Sequence, residues 1–122
     1  MEIKSFRDLL VWQRSMALVE RVYEVTELFP RTERFGLSNQ LRRAAISIPS
    51  NIAEGHARRT GYFLNHLNMA IGSQAELQTQ LELGRRLKFA PEKMIDPLLQ
   101  EGAEIAKMLH GLAASVEKRE KA

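Results

Sequence analysis

Residues 37–59 read LSNQLRRAAISIPSNIAEGHARR, and the way they distribute around a helix decides the fold. At 100° per residue, Leu37, Leu41, Ala44, Ile48 and Ile52 share one sector, which is the apolar face of an amphipathic helix. Gln40, Arg43, Ser47, Asn51, Glu54 and Arg58 fall together in the adjoining sector. A simple surface helix needs only a scattered polar face. An ordered polar seam beside an apolar face indicates a functional strip or a subunit contact. Pro49 lies inside this helix, where it removes one backbone hydrogen bond, so a kink is expected near residues 45–49. Small residues surround it (Ala44, Ala45, Ser47, Ser50, Ala53, Gly55) and allow a neighbouring helix to approach closely. Ile46 and Ala53 point away from the main apolar face, toward a second contact.

The rest of the chain repeats the helical pattern. Ser5 with Asp8 resembles a capping box and opens a first helix over about 5–28. That helix carries two apolar stripes: Leu9, Trp12, Met16, Val19 and Tyr23, and Val11, Leu18, Val22, Val25 and Phe29. Two stripes mean either burial on two sides, hence a subunit interface, or one wide face in a four-helix core. The helix around Pro49 spans about 32–58. A third, over about 61–87, follows Phe63, Leu67, Ala70, Leu77 and Leu81. Gly72 sits in its middle, where a tight helix crossing would account for it, and Ser73, Glu76 and Gln80 form a short polar row. A fourth, over about 91–117, keeps a 3-4 spacing through Ile95, Leu98, Gly102, Ile105, Leu109, Leu112 and Val116. Pro91 opens it, or Asp96-Pro97 caps its main part, and the charged tail after residue 117 is expected to fray. No strand signal or internal repeat interrupts the pattern. The expectation is one all-α domain, residues 1–122, built as an antiparallel up-down-up-down four-helix bundle.

Composition narrows the function classes. The chain has 122 residues, 44% hydrophobic and 27% charged, with no cysteine. Disulfides and cysteine-based metal or redox sites are therefore excluded, and a cytoplasmic protein is expected. No apolar run approaches the roughly 20 residues that span a bilayer, so no membrane partner is expected. The net charge is +3. The surplus lies within residues 1–59, which is compatible with a polyanionic partner.

Catalytic signatures are missing. His56, His66 and His110 have no partner at metal-ligand spacing, and His66 and His110 are read as helix-surface or edge residues. No phosphate-binding glycine loop or nucleophile elbow occurs. Glu54 and Glu76 could form an acid–base pair, but the stronger reading gives each an arginine, such as Arg43, or a backbone partner at a helix crossing. No enzyme, cofactor or metal is expected. Arg42-Arg43 and Arg58-Arg59, with Arg34, could instead grip phosphates through guanidinium groups. Residues within each pair diverge by about 100° on the wheel, so one of each faces a given side. In a ring of subunits each arginine repeats, which multiplies the field.

These motifs also carry a resemblance. Phe6, Leu9, Val11-Trp12-Gln13 and Phe29-Pro30, then residues 36–45 (GLSNQLRRAA), residues 47–55 (SIPSNIAEG), and Ala70-Ile71-Gly72-Ser73 with Glu76-Leu77 and Gln80-Leu81 make up the pattern. It resembles the family of four-helix bundle proteins encoded in intervening sequences of bacterial 23S ribosomal RNA genes, over about residues 4–115. The resemblance implies a homopentameric barrel. A related protein, the accessory protein of diversity-generating retroelements, is similar in fold, binds nucleic acid through a basic surface and associates with a reverse transcriptase. This chain carries no retroelement marker, and the family assigns no catalytic residue. The expectation is a non-enzymatic oligomer that binds RNA or DNA through Arg42, Arg43, Arg58, Arg59 and Arg34, with ribosomal RNA as a candidate partner. In it Gln40, Ser47, Asn51, Glu54, Ser73 and Glu76 form a structural polar seam. The alternative is a structural or protein-interaction bundle with no nucleic-acid activity.

Overall fold

The computed structural model describes residues 2–58 and 61–121. Four helices account for most of them: α1 (Leu10–Thr26), α2 (Leu37–Arg58), α3 (Tyr62–Arg86) and α4 (Glu92–Lys121). No strand occurs among the described residues. Each helix contacts its neighbours around the ring, α1 with α2, α2 with α3, α3 with α4 and α4 with α1, and α2 against α3 is the most extensive pair. Residue pairs run in opposite numerical senses along two of these seams. Ser47 meets Ser73 while Asn51 meets His66. Arg85 meets Asp96, Gln78 meets Leu99 and Gln74 meets Gly102.

The core takes one stripe from each helix. Val11, Leu18, Val22 and Val25 of α1 face Leu41, Ile48 and Ile52 of α2, Leu67, Leu77 and Leu81 of α3, and Ile95, Leu98, Ile105 and Leu109 of α4. Large side chains that are 0–2% exposed dominate it, and each contributes roughly 1.5–3 kcal/mol relative to exposure. Only the second of the two α1 stripes lies in this core. In the first, Met16 and Tyr23 remain 43% and 40% exposed, and Leu9, Trp12 and Val19 are partly buried against the core edge.

The helix ends depart from the sequence expectation in three places. Ser5 and Asp8 do make a reciprocal capping box, but it closes a 3-10 turn, Phe6–Asp8, and Leu9 is extended before α1 begins. A second 3-10 turn, Arg31–Glu33, precedes α2, which starts at Leu37. There the Glu33 carboxylate accepts the Leu37 N–H at 3.1 Å, so the cap comes from an acid four residues upstream. At the far end α4 continues to Lys121 rather than fraying after residue 117. Lys118, Arg119 and Lys121 complement the negative end of its dipole, and Lys121 pairs with Glu117. Helices α2 and α4 run unbroken through Pro49 and Pro97.

Two chain reversals fix the ends of α3. Gly61, with φ of 72°, supplies the left-handed residue before it. After it, Lys88 adopts φ of 60° and the Phe89 N–H returns to the Gly84 carbonyl, a Schellman closure. Phe89 then packs edge-on against Phe29, with ring centroids 5.5 Å apart. Phe29 is buried over Gly84, where a Cβ would come within 2.7 Å of its ring. This anchors the α1–α2 connection onto the far side of the bundle.

Candidate nucleic-acid interface

The described arginines among the five expected to bind phosphate do not share one environment. Arg42 is half-buried and held through its Nε and Nη2. Its Nε donates to the Thr26 hydroxyl at 2.8 Å, and its Nη2 reaches the Tyr23 carbonyl and the Glu27 carboxylate at 3.5 and 3.3 Å. Its guanidinium lies 4.4 Å from the Tyr23 ring centroid. Arg42 therefore ties α2 to the end of α1, a structural task that the basic-pair reading overlooks. Arg58 is engaged as well, 3.8 Å from Glu54 and 4.1 Å from the Tyr62 ring centroid. Arg43 is exposed and has no ion pair among the described residues. Arg34 is also exposed and sits 5.4 Å from the Phe35 ring centroid. Arg59 lies outside the described residues.

Arg34 and Arg42 come together, with an arginine that sequence reading did not single out. Arg31, Arg34 and Arg42 line one depression of about 310 Å³, with Thr26, Glu27, Phe29, Pro30 and Ser38. The 3-10 turn presents Arg31, and the anchored Phe29-Pro30 segment fixes where that turn sits. The available signal was an arginine directly after Phe29-Pro30 in the short α1–α2 connection.

The polar seam is only partly assembled. Ser47 and Ser73 bond at 2.8 Å, Asn51 Nδ2 donates to the Ser47 hydroxyl and carbonyl, and Asn51 Oδ1 meets His66 Nδ1 at 3.0 Å. This chain of bonds joins α2 to α3. Gln40 is exposed and takes no part. Glu76 is exposed and accepts only from Gln80 within its own helix. Glu54 is exposed too, and pairs with Arg58 rather than Arg43. Its other oxygen lies 3.9 Å from His66. His66 and Glu76 are ten residues apart on α3, about 15 Å along the axis, so Glu54 and Glu76 do not form an acid–base pair.

His66 corrects the surface reading given to it. It is 7% exposed and packed at the α2–α3 crossing. A Cβ on Gly55 would stand 2.6 Å from the His66 Cβ. The glycine that ends SIPSNIAEG thus allows α2 and α3 to pack closely at this point. Gly72, expected at a tight crossing, has nothing within 4 Å of a Cβ position. No group of three or more histidines and acids among the described residues could hold a metal ion, and no helix there is long and apolar enough to cross a membrane.

The pattern of the 23S rRNA-intervening sequence proteins matches residues 7–111. The chain belongs to the 23S rRNA-intervening sequence protein family. The match spans all of α1, α2 and α3 and most of α4, and includes the seam and the basic depression. Among solved structures, the chain is similar to a protein of unknown function from the S23 ribosomal protein family of Bacteroides thetaiotaomicron VPI-5482. That likeness has a TM-score of 0.79 at 24% identity, over 85% of this chain and 98% of the other, and it shows the fold. No curated protein matches the sequence.

Proposed function

We propose that this 23S rRNA-intervening sequence protein is a non-enzymatic, cytoplasmic, oligomeric bundle that binds RNA or DNA electrostatically. The observation that carries the reading is the corner between α1 and α2. There Arg31 and Arg34 flank a depression already lined by a fixed guanidinium, Arg42, while Arg43 stands exposed one residue on. Arg31, Arg34 and Arg43 have no acidic partner among the described residues, and such cations can neutralise a phosphate backbone. The family name makes structured ribosomal RNA the first RNA to test.

The same reading includes an antiparallel up-down-up-down bundle, supported by the opposed residue pairs along α2–α3 and α3–α4. It also includes assembly into a homopentamer. Support for assembly comes from the first α1 stripe, left half in water at Met16 and Tyr23, and from Ile46 on α2, 41% exposed. Ile46 lies one turn beyond Arg42 on α2, and the Arg42 guanidinium stacks on Tyr23 of α1. Apolar surface gathered in this way marks a subunit contact.

A second reading, a structural or protein-interaction bundle with no nucleic-acid activity, draws on a specific observation as well. Arg42 and Arg58 are engaged within the chain, which leaves fewer free cations than the sequence suggests. Titration of labelled 23S ribosomal RNA fragments and duplex DNA at low and physiological salt separates the two. Binding at low salt that weakens steeply with added salt supports the first reading. No binding at low salt supports the second.

A further inference from the structure

We propose that the depression at the α1–α2 corner is a seat for a single phosphate group. The claim rests on the nucleic-acid reading only for the source of the phosphate, not for the site. Three arginines line it, and Arg42 is preorganised: Thr26, the Tyr23 carbonyl and the Tyr23 ring fix its plane, while Nη1 keeps its donors free of any bond among the described residues. A guanidinium held in place loses little freedom on binding an oxyanion.

Ser38 provides a second, independent pointer. It is 7% exposed, lines the same depression and has no hydrogen-bond partner among the described residues. Its Oγ is open to the depression and is not among the buried side-chain atoms left without a partner, so it can donate to an incoming oxyanion. Ser38 also belongs to the first turn of α2. In that turn Leu37 N–H is taken by Glu33 and Gln40 N–H by the Gly36 carbonyl. The Ser38 and Asn39 N–H groups have no such acceptor among the described residues, and the positive end of a 22-residue helix lies behind them.

Glu27 is the one acid in the lining. Its side chain is 77% exposed and its carboxylate is 3.3 Å from Arg42 Nη2. It occupies a donor that an incoming phosphate would otherwise use, and exposed as it is, it can swing into solvent. It therefore acts as an internal competitor that weakens the seat. A neutral residue there should tighten binding.

The test is an amide NMR titration of the full chain with inorganic phosphate against chloride at matched ionic strength, repeated with a short single-stranded RNA. Phosphate should produce saturable shifts centred on Ser38, Asn39 and residues 31–35. Arg31→Ala with Arg34→Ala, both exposed positions, should weaken that binding about tenfold or more, the loss of one or two charge-assisted hydrogen bonds. Glu27→Gln should strengthen it. No saturable shift, or shifts spread over every surface arginine and unchanged by the double substitution, would overturn the proposal. RNA that shifts the same amides and is displaced by phosphate identifies the seated group as a backbone phosphate. Phosphate that saturates the seat while RNA does not bind identifies a small phosphate instead, and leaves the seat standing while the nucleic-acid reading fails. RNA binding untouched by the double substitution removes the seat and leaves that reading in place.

Discussion

At the scale of single residues, the glycines separate most cleanly. Gly55 touches His66 so closely that a methyl group there must part α2 from α3. Gly55→Ala is expected to destabilise the fold by about 1–3 kcal/mol, the usual cost of overpacking a tight contact. Gly72 faces open space. Gly72→Ala is expected to stabilise by about 1 kcal/mol, because an exposed mid-helix glycine carries only its propensity penalty. Thermal melts of the two variants should move in opposite directions, and a fall in both would place Gly72 against a neighbouring subunit. The sequence pattern around Gly55 and Gly72 is the same, a glycine among small residues on an amphipathic helix. What differs is which face the neighbouring helix covers, and that depends on contacts between segments remote in sequence. Burial of His66 was illegible for the same reason: its Asn51 partner is fifteen residues away.

At the scale of elements, periodicity made the four helices and their core stripes legible, because burial on one face leaves a 3-4 spacing of apolar residues. The termini were not legible to the same degree. Leu9 breaks the first helix, and Glu33 caps the second from within a 3-10 turn, both by hydrogen bonds that apolar spacing does not report. Nor was the clamp between α1 and α4 visible. Arg14 grips both oxygens of Glu101 from 87 residues away and also reaches the Met108 sulfur. The hydrogen bond from Arg14 is the main cause that holds the Glu101 carboxyl below its ordinary value of 4.5. A carboxyl whose folded pKa is lowered contributes stability above its unfolded value. That contribution declines as pH drops below it and is gone once pH passes below the folded value. Glu101→Gln should therefore lower the melting temperature at neutral pH, and its difference from the parent should shrink as pH falls below 4.5. A difference that stays constant into acid would show that the clamp acts through shape rather than charge.

At the scale of the whole molecule, the sequence located the basic excess in the first half but not its arrangement. The expected pair Arg42-Arg43 is split by the fold, with Arg42 engaged and Arg43 exposed, and Arg59 of the second pair lies outside the described residues. Arg42 and Arg58 are drawn into intramolecular contacts, and Arg31 joins Arg34 and Arg42 instead. The other basic cluster, at the end of α3, is partly neutralised, since Arg85 pairs with Glu92 and Asp96, and Arg86 with Glu82. Assembly belongs to this scale too. On the proposed assembly, Ile46→Glu places a charge among the exposed apolar side chains of α1 and α2, so light scattering should report a smaller mass than for the unsubstituted protein, with helix content retained. An unchanged mass would count against a contact there and make exposed Met69 and Leu83 of α3, with Leu87 just after it, the next surface to test. The most direct test of the central claim is the salt dependence of binding to structured 23S ribosomal RNA and to duplex DNA. The logarithm of affinity should fall linearly with the logarithm of salt, with a slope of about −0.9 per phosphate neutralised on the duplex. Replacing Arg31, Arg34 and Arg43 together by alanine should make that slope shallower by about one unit for each phosphate no longer neutralised. An absence of binding at low salt, or a slope that the triple substitution leaves unchanged, would contradict the account.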